Sequence, residues 1–148
     1  MIKKFLIGSV EQSSSTTNLA LLILRVFTGL SMALAHGFGK LPPSAGFIEA
    51  TGNIGFPLPV FFAWAAALSE FVGGILITLG LLTRPASLLM SLTMITAAFI
   101  THSADPFATK EKALLYLCIS IVLLLTGSGK YGIDAAFQKN NSKPIYYS

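Results

Sequence analysis

The stretch VFFAWAAALSEFVGGILITLGLL, residues 60–82, decides the fold of this chain. At a rise of about 1.5 Å per residue, a helix of this length crosses the roughly 30 Å hydrocarbon core of a bilayer. Glu70, near the middle, is the only charged residue in it. An ionised side chain at the bilayer centre costs roughly 3 kcal/mol by insertion scales, so we expect Glu70 to face protein or a polar cavity.

Helical periodicity places mostly small residues on the same face as Glu70. They are Ala63, Ala66, Ala67, Gly73, Gly74 and Ile77. A stripe of small side chains lets another helix approach closely inside a membrane. Leu68, Phe71, Val72 and Leu79 lie away from this stripe and are expected to contact lipid.

Composition supports a membrane protein of one domain. Of the 148 residues, 53% are hydrophobic and 11% charged, and the mean hydropathy of +0.73 is too high for an ordinary soluble domain. The net charge of +4 is better explained by membrane topology than by nucleic-acid binding, so no nucleic-acid partner is predicted. Cys118, the single cysteine, can form no internal disulfide, and we expect it to be a small packing residue.

The hydrophobic pattern predicts an all-α fold, an integral membrane four-helix bundle. The expected spans are residues 19–38, 60–82, 86–102 and 113–126. Residues 1–18 form a polar N-terminal tail with a weak interfacial patch, residues 19–134 the four-helix domain, and residues 135–148 a polar C-terminal tail. Thr17 or Asn18 is expected to cap the first helix. The Pro- and Gly-rich linker 39–59 leaves room for a short helix around residues 47–51.

Lysine and arginine positions predict the orientation. With four spans, six of these residues lie on the side of both termini and three on the other, which makes both termini cytoplasmic. The expected location is the cytoplasmic (inner) membrane of a bacterium. A cleaved signal peptide is the competing interpretation of the N-terminus, but the first apolar run is too long for one.

Arg25 is the expected partner of Glu70. It shares a face of the first helix with Thr28, Gly29, Met32 and His36. Counted from the cytoplasmic side, Arg25 lies about 10 Å and Glu70 about 18 Å into the membrane, a gap that two long side chains can narrow. The pair is interpreted either as a functional site, in which Arg25 holds an anion or quinone oxygen and Glu70 exchanges a proton, or as a structural ion pair.

His36 and His102 lie at similar depth near the outer ends of two spans. We expect them to line a polar, substrate-binding pocket with Lys40 and Asp105 at its mouth. Solvation at the membrane interface is the simpler alternative, and bis-histidine haem ligation is a weaker one. No metal site is predicted from the sequence.

The chain resembles the DoxX family of small four-helix membrane proteins over residues 19–134. The residues that carry the resemblance are Leu24-Arg25-Val26 with Gly29, His36-Gly37, Lys40-Leu41, Gly55, Pro57, Glu70 with Gly73-Gly74, Leu79-Gly80-Leu81-Leu82-Thr83-Arg84, His102 and the closing Gly127-Ser128-Gly129-Lys130-Tyr131-Gly132-Ile133-Asp134. The arginine, the glutamate before two glycines and the Leu-Gly-Leu-Leu-Thr-Arg exit are the most specific of these.

The resemblance implies the membrane component of a redox or sulfur-handling system. The family takes its name from a subunit of a thiosulfate:quinone oxidoreductase, and such relatives work with a separate subunit. The implied role is therefore an oxidoreductase subunit with a partner redox or accessory protein. It carries no intrinsic cofactor, and quinone is the candidate exogenous one.

Two other functions stay open at this point. The chain could be a non-catalytic scaffold for a soluble partner, in which case neutralising Arg25 and Glu70 would leave a copurifying partner bound. It could also be a small transporter component, which predicts substrate flux in vesicles that contain this protein alone. The oligomeric state is not predicted.

Overall fold

The computed structural model describes residues 14–141. All regular secondary structure in this part of the chain is helical, which confirms the all-α class. The helices are α1 (Ser15–Met32), α2 (Ala45–Asn53), α3 (Pro59–Leu79), α4 (Thr83–Thr96), α5 (Phe107–Thr126) and α6 (Ile133–Asn141). A π-helical stretch, Ala33–Gly37, and a 3-10 turn, Phe38–Lys40, extend α1; a second π-helical stretch, Ala97–Thr101, extends α4.

Three helical rods are long and apolar enough to cross a membrane. They are Ser15–Lys40, Pro59–Leu79 and Thr83–Thr101. The predicted fourth span corresponds to α5, which has 20 residues because it begins inside the predicted loop and carries Lys110, Glu111 and Lys112 near its start. The four-span count and the orientation of the termini therefore stay predictions.

The helix boundaries follow local chemistry. Pro59 occupies the first turn of α3, where a missing N–H costs nothing, and Gly80 ends this helix with a left-handed φ of 67°. The predicted cap of α1 is wrong: Ser14, not Thr17 or Asn18, accepts a hydrogen bond from the Thr17 N–H at 3.2 Å. The expected short linker helix is present as α2.

The predicted tails are only partly described. The boundary predicted after residue 134 falls inside α6, and α1 begins within the predicted N-terminal tail. Residues 1–13 and 142–148, which include the interfacial patch, lie outside the described residues.

The helices pack in the order α1, α3, α4, α5. α1 runs antiparallel to α3 and crosses it where Gly29 meets Gly74, a contact that leaves no room for a Cβ on either residue. α3 packs on α4, and α4 packs on α5 along its length. The apolar core joins all four helices and consists of Leu21, Met32, Ile77, Ala86, Met90, Met94, Leu117 and Leu123.

Burial along α3 agrees with the sequence pattern. Ala63, Ala67, Gly73, Gly74 and Ile77 are buried on the Glu70 face, and Leu68, Val72 and Leu79 are exposed on the other side. The expectation for Cys118 is wrong, because this residue is exposed. The inner face of α5 is occupied by Leu117, Ser120 and Leu123, and Cys118 points away from it.

Candidate functional site

Glu70 forms a buried ion pair with Lys40. The Lys40 Nζ donates to both carboxylate oxygens of Glu70, at 2.6 Å and 2.7 Å. The Glu70 side chain is 3% exposed, whereas that of Lys40 is 35% exposed. The carboxylate therefore sits inside the protein, and its counter-ion forms the side of the site that opens outward.

The end of the first span explains how Lys40 reaches Glu70. Gly37 closes the π-helical stretch and lies against α3, where a Cβ would be 2.6 Å from the Cα of Phe71 and 2.8 Å from the carbonyl carbon of Glu70. This contact brings the chain onto α3 at the level of Glu70, and the following 3-10 turn carries Lys40 over the carboxylate. Isolated π-helical turns of this kind occur frequently at functional sites.

Phe47 of α2 completes the surroundings of the ion pair. The Nζ of Lys40 lies 5.4 Å from the centroid of the Phe47 ring, a cation–π distance. Phe38 lies two residues before Lys40, and Phe71 follows Glu70. Their rings form a tilted pair with centroids 6.0 Å apart. The ammonium group is thus held between a carboxylate and aromatic surface.

The predicted pairing of Arg25 with Glu70 is wrong. The Arg25 guanidinium instead donates to the backbone carbonyls of Thr78, Ile77 at 3.4 Å and Tyr131 at 2.7 Å. Thr78 lies eight residues from Glu70, about 12 Å along the helix axis, so the two charges occupy different depths. Both are nevertheless buried, each at 2% residual exposure, as the sequence predicted.

Arg25 donates hydrogen bonds to carbonyls at the C-terminal end of α3. The last four carbonyls of a helix have no partner within it, and the negative end of the helix dipole favours a cation. Ile77 and Thr78 supply two such carbonyls, because α3 ends at Leu79. Arg25 therefore ties α1 to the end of α3 and to the segment after α5.

Asp134 belongs to the same end of the bundle. Its carboxylate accepts hydrogen bonds from the backbone N–H groups of Leu82 at 2.8 Å and Thr83 at 3.0 Å, at the start of α4. Its charge also interacts with Arg25. Asp134 is 3% exposed and caps a helix distant in sequence.

The two histidines have separate partners, so the structure does not join them in one pocket. His36 makes an edge-to-face contact with Tyr116 of α5, with ring centroids 5.6 Å apart. The Nδ1 of His102 lies 2.7 Å from a carboxylate oxygen of Asp105, and both side chains are more than a third exposed. Of the predicted pocket residues, only Lys40 meets Glu70.

Sequence reasoning gave no role in the site to Asp134, Phe47 or Tyr116. Asp134 had a detectable signal, since it is the one acid in the closing Gly-rich segment and stands in the first turn of a polar helix. Phe47 and Tyr116 had none, because their roles depend on which helix lies beside them. Within residues 14–141, no three His, Cys, Asp or Glu side chains gather closely enough to hold a metal ion.

Comparison with known proteins agrees with the family resemblance found in the sequence. The family model of DoxX matches residues 20–103. The "Putative oxidoreductase CatD" of Bacillus subtilis is 40% identical over 114 residues, which cover 76% of this chain and 83% of the relative. The "Inner membrane protein YqjF" of Escherichia coli is 34% identical over 131 residues, which cover 82% of this chain and 95% of the relative. No solved structure matches the chain.

Proposed function

The chain belongs to the DoxX family of membrane proteins, and on that premise we propose that it is the membrane component of a quinone-linked redox system, with its polar site at Glu70 and Lys40. The observation that carries the proposal is the buried carboxylate of Glu70 held by the ammonium of Lys40. Ionisable residues inside a membrane are costly to keep, and they mark sites of binding or proton exchange more often than packing.

The two charges have different roles in this proposal. Lys40 is the accessible partner, and its ammonium group can donate a hydrogen bond to an oxygen of a quinone or an anion that approaches from the exposed side. Glu70 can accept or return a proton as that oxygen changes charge. Breaking the ion pair for substrate is feasible because the Lys40 side chain is 35% exposed and can turn outward.

Arg25 is assigned a positioning role rather than a catalytic one. Both of its terminal nitrogens donate to backbone carbonyls of this chain, so a substrate that needed the forked end of the guanidinium would have to displace these bonds. His36 and His102 are assigned supporting roles at the outer side: His36 through its contact with Tyr116, and His102 through Asp105.

The remaining parts of the proposal are a partner and a location. Electrons would come from a separate redox subunit, as the family resemblance implies. The proposed location is the bacterial inner membrane, which is supported by the printed name of the Escherichia coli relative.

Binding of a short-chain ubiquinone to the protein in lipid nanodiscs tests this function. Trp64, the only tryptophan, lies about 9 Å along α3 from Glu70, so a bound quinone should quench its fluorescence with a saturating dependence on concentration. We expect Glu70→Gln and Lys40→Gln to weaken binding at least tenfold, or about 1.4 kcal/mol. Glu49→Gln, a change of an exposed acid on α2, should leave the quinone affinity within twofold of the wild type. Equal binding by all four proteins, or quenching that never saturates, would overturn the quinone role.

A further inference from the structure

Three buried hydroxyl groups in the bundle have no hydrogen-bond partner among the described residues. They are the Oγ1 of Thr83, the Oγ of Ser87 and the Oγ of Ser120. All three residues have no exposed surface. The Nε of Arg25, on a different helix, is also buried without a partner.

Ser87 and Ser120 differ from five other helical hydroxyls among the described residues. Ser91, Thr93, Thr96, Thr78 and Thr126 each donate to the carbonyl four residues earlier, at 2.8 to 3.1 Å. This bond is the usual way for a hydroxyl in an apolar helix to be satisfied. Ser87 and Ser120 do not make this bond, so their hydroxyl groups can still donate to a bound molecule.

The two serines lie at similar depth on the buried faces of α4 and α5. Arg84 donates to the carbonyl of Leu125 at 3.0 Å, which places the start of α4 beside the end of α5. Ser87 is three residues beyond Arg84 and Ser120 is five residues before Leu125, so their depths differ by only about 3 Å. Ser120 stands between Leu117 and Leu123 on the buried face of α5, and Ser87 lies on the buried face of α4.

The hydroxyl row extends between two buried charged sites, from the end of the bundle that holds Arg25 and Asp134 toward the level of Glu70. It begins at Thr83, whose backbone N–H is bound by Asp134. It continues through Ser87 to Ser91 on the same face of α4, and Ser91 lies about 12 Å along the helix axis from Thr83. Ser91 is within about 3 Å of the level of Thr93 along α4, and the Thr93 hydroxyl lies 3.1 Å from that of Ser69, the residue before Glu70.

We propose that water molecules bind along this row, called here the hydroxyl seam (Thr83, Ser87, Ser91 and Ser120), and connect the Arg25–Asp134 end of the bundle with the depth of Glu70. A buried hydroxyl without a partner costs about 1–3 kcal/mol, which a bound water removes. Buried waters in proteins bind where several polar groups are otherwise unsatisfied. The seam would bring water from the bundle end opposite the Lys40 opening to the depth of Glu70.

Thiol exchange in heavy water tests the seam independently of any activity. Cys118→Ser removes the only native thiol, and Ser87→Cys or Ser120→Cys then places one in the seam. Ala86→Cys and Ala67→Cys are matched controls, because both alanines are buried in the same bundle and neither belongs to the hydroxyl row. The measurement is the rate at which the infrared S–H band converts to S–D in nanodiscs.

We expect the thiols at positions 87 and 120 to exchange at least tenfold faster than those at 86 and 67. Equal rates at all four positions overturn the seam, since they mean either a dry interior or general water entry. A second measurement needs no variant: magnetisation transfer from water to the backbone amides of Ser87 and Ser120 should exceed that to Met90, and its absence also overturns the proposal.

The water binding itself does not depend on the redox role, although its use by Glu70 rests on the proposed function. Fast thiol exchange together with unchanged quinone binding by Glu70→Gln would refute the proposed function and leave the seam intact. Slow thiol exchange together with weakened quinone binding by Glu70→Gln would refute the seam and leave the proposed function intact.

Discussion

Gly37 and Phe71 are in backbone contact, and this contact sets the position of Lys40. The Cα of Phe71 would lie 2.6 Å from a Cβ on residue 37, a distance that real Cβ atoms do not tolerate. Because Lys40 follows Gly37 by three residues and Glu70 precedes Phe71 by one, the contact and the ion pair form a single unit. A residue without a side chain is therefore what allows the buried charge to be neutralised.

Gly37→Ala should separate the first span from α3 and weaken the ion pair. Overpacking of a close contact costs about 1–3 kcal/mol, and we expect a loss of that size in the free energy of unfolding in detergent. Gly39→Ala is the control, since nothing lies within 4 Å of a Cβ at position 39. A Gly37→Ala protein as stable as the Gly39→Ala protein would show that the backbone contact is not required.

Removal of one partner of the ion pair should have unequal effects. Lys40→Met leaves the carboxylate of Glu70 buried and unpaired, for which the expected loss of stability is about 3–5 kcal/mol. Glu70→Gln should cost less, because Lys40 is partly exposed and can turn outward. The double variant Lys40→Met with Glu70→Gln should be more stable than Lys40→Met alone, because it buries no unpaired charge. Unfolding of the three variants and the wild type in one double-mutant cycle gives the coupling directly.

Arg25→Lys should not preserve the end of α3. A lysine ammonium is a point charge and cannot reproduce the fork of donors that reaches the carbonyls of α3 and Tyr131 together. Each lost charged hydrogen bond costs about 1.5–3 kcal/mol. Arg84→Lys, a change of the only other arginine, is the control and should cost less, because Arg84 donates to the carbonyl of Leu125 at the surface of the bundle. Similar unfolding energies for the two variants would contradict the positioning role of Arg25.

Asp134→Ala should loosen the start of α4. The carboxylate caps the N–H groups of Leu82 and Thr83, and loss of such a cap costs about 0.5–2 kcal/mol. Hydrogen exchange should accelerate at the amides of these two residues before it does so elsewhere in α4. Asp105→Ala, in an exposed loop, should leave both amides unchanged. Protected amides at 82 and 83 in Asp134→Ala would mean that another group provides the cap.

Much of the fold is encoded locally and could be predicted. The apolar runs gave three rods of sufficient length, and Pro59, Gly80, Pro85 and Gly127 mark helix ends near the predicted ones. The starts of α1 and α5 were placed too late, because their first turns are polar and hydropathy alone does not extend a helix into polar sequence.

The site was only half predictable. Burial of Arg25 and Glu70 followed from the cost of charge in a membrane, which depends on the residue type and the length of the surrounding run. Their partners did not follow, since counting residues from the helix ends assumes that all spans begin at the same level. In the structure α1 is displaced along α3, so that Arg25 meets the end of α3 and Lys40 meets its middle.

The sequence by itself determined that this chain is helical, membrane-embedded and forced to bury two ionisable side chains away from lipid. Only the tertiary structure decided that these two charges are not partners of one another. The physical reason is that burial cost is a property of one residue in one medium, whereas pairing depends on helix displacement, on a glycine contact between two helices and on a loop helix that returns to the site. Those are relations between distant parts of the chain.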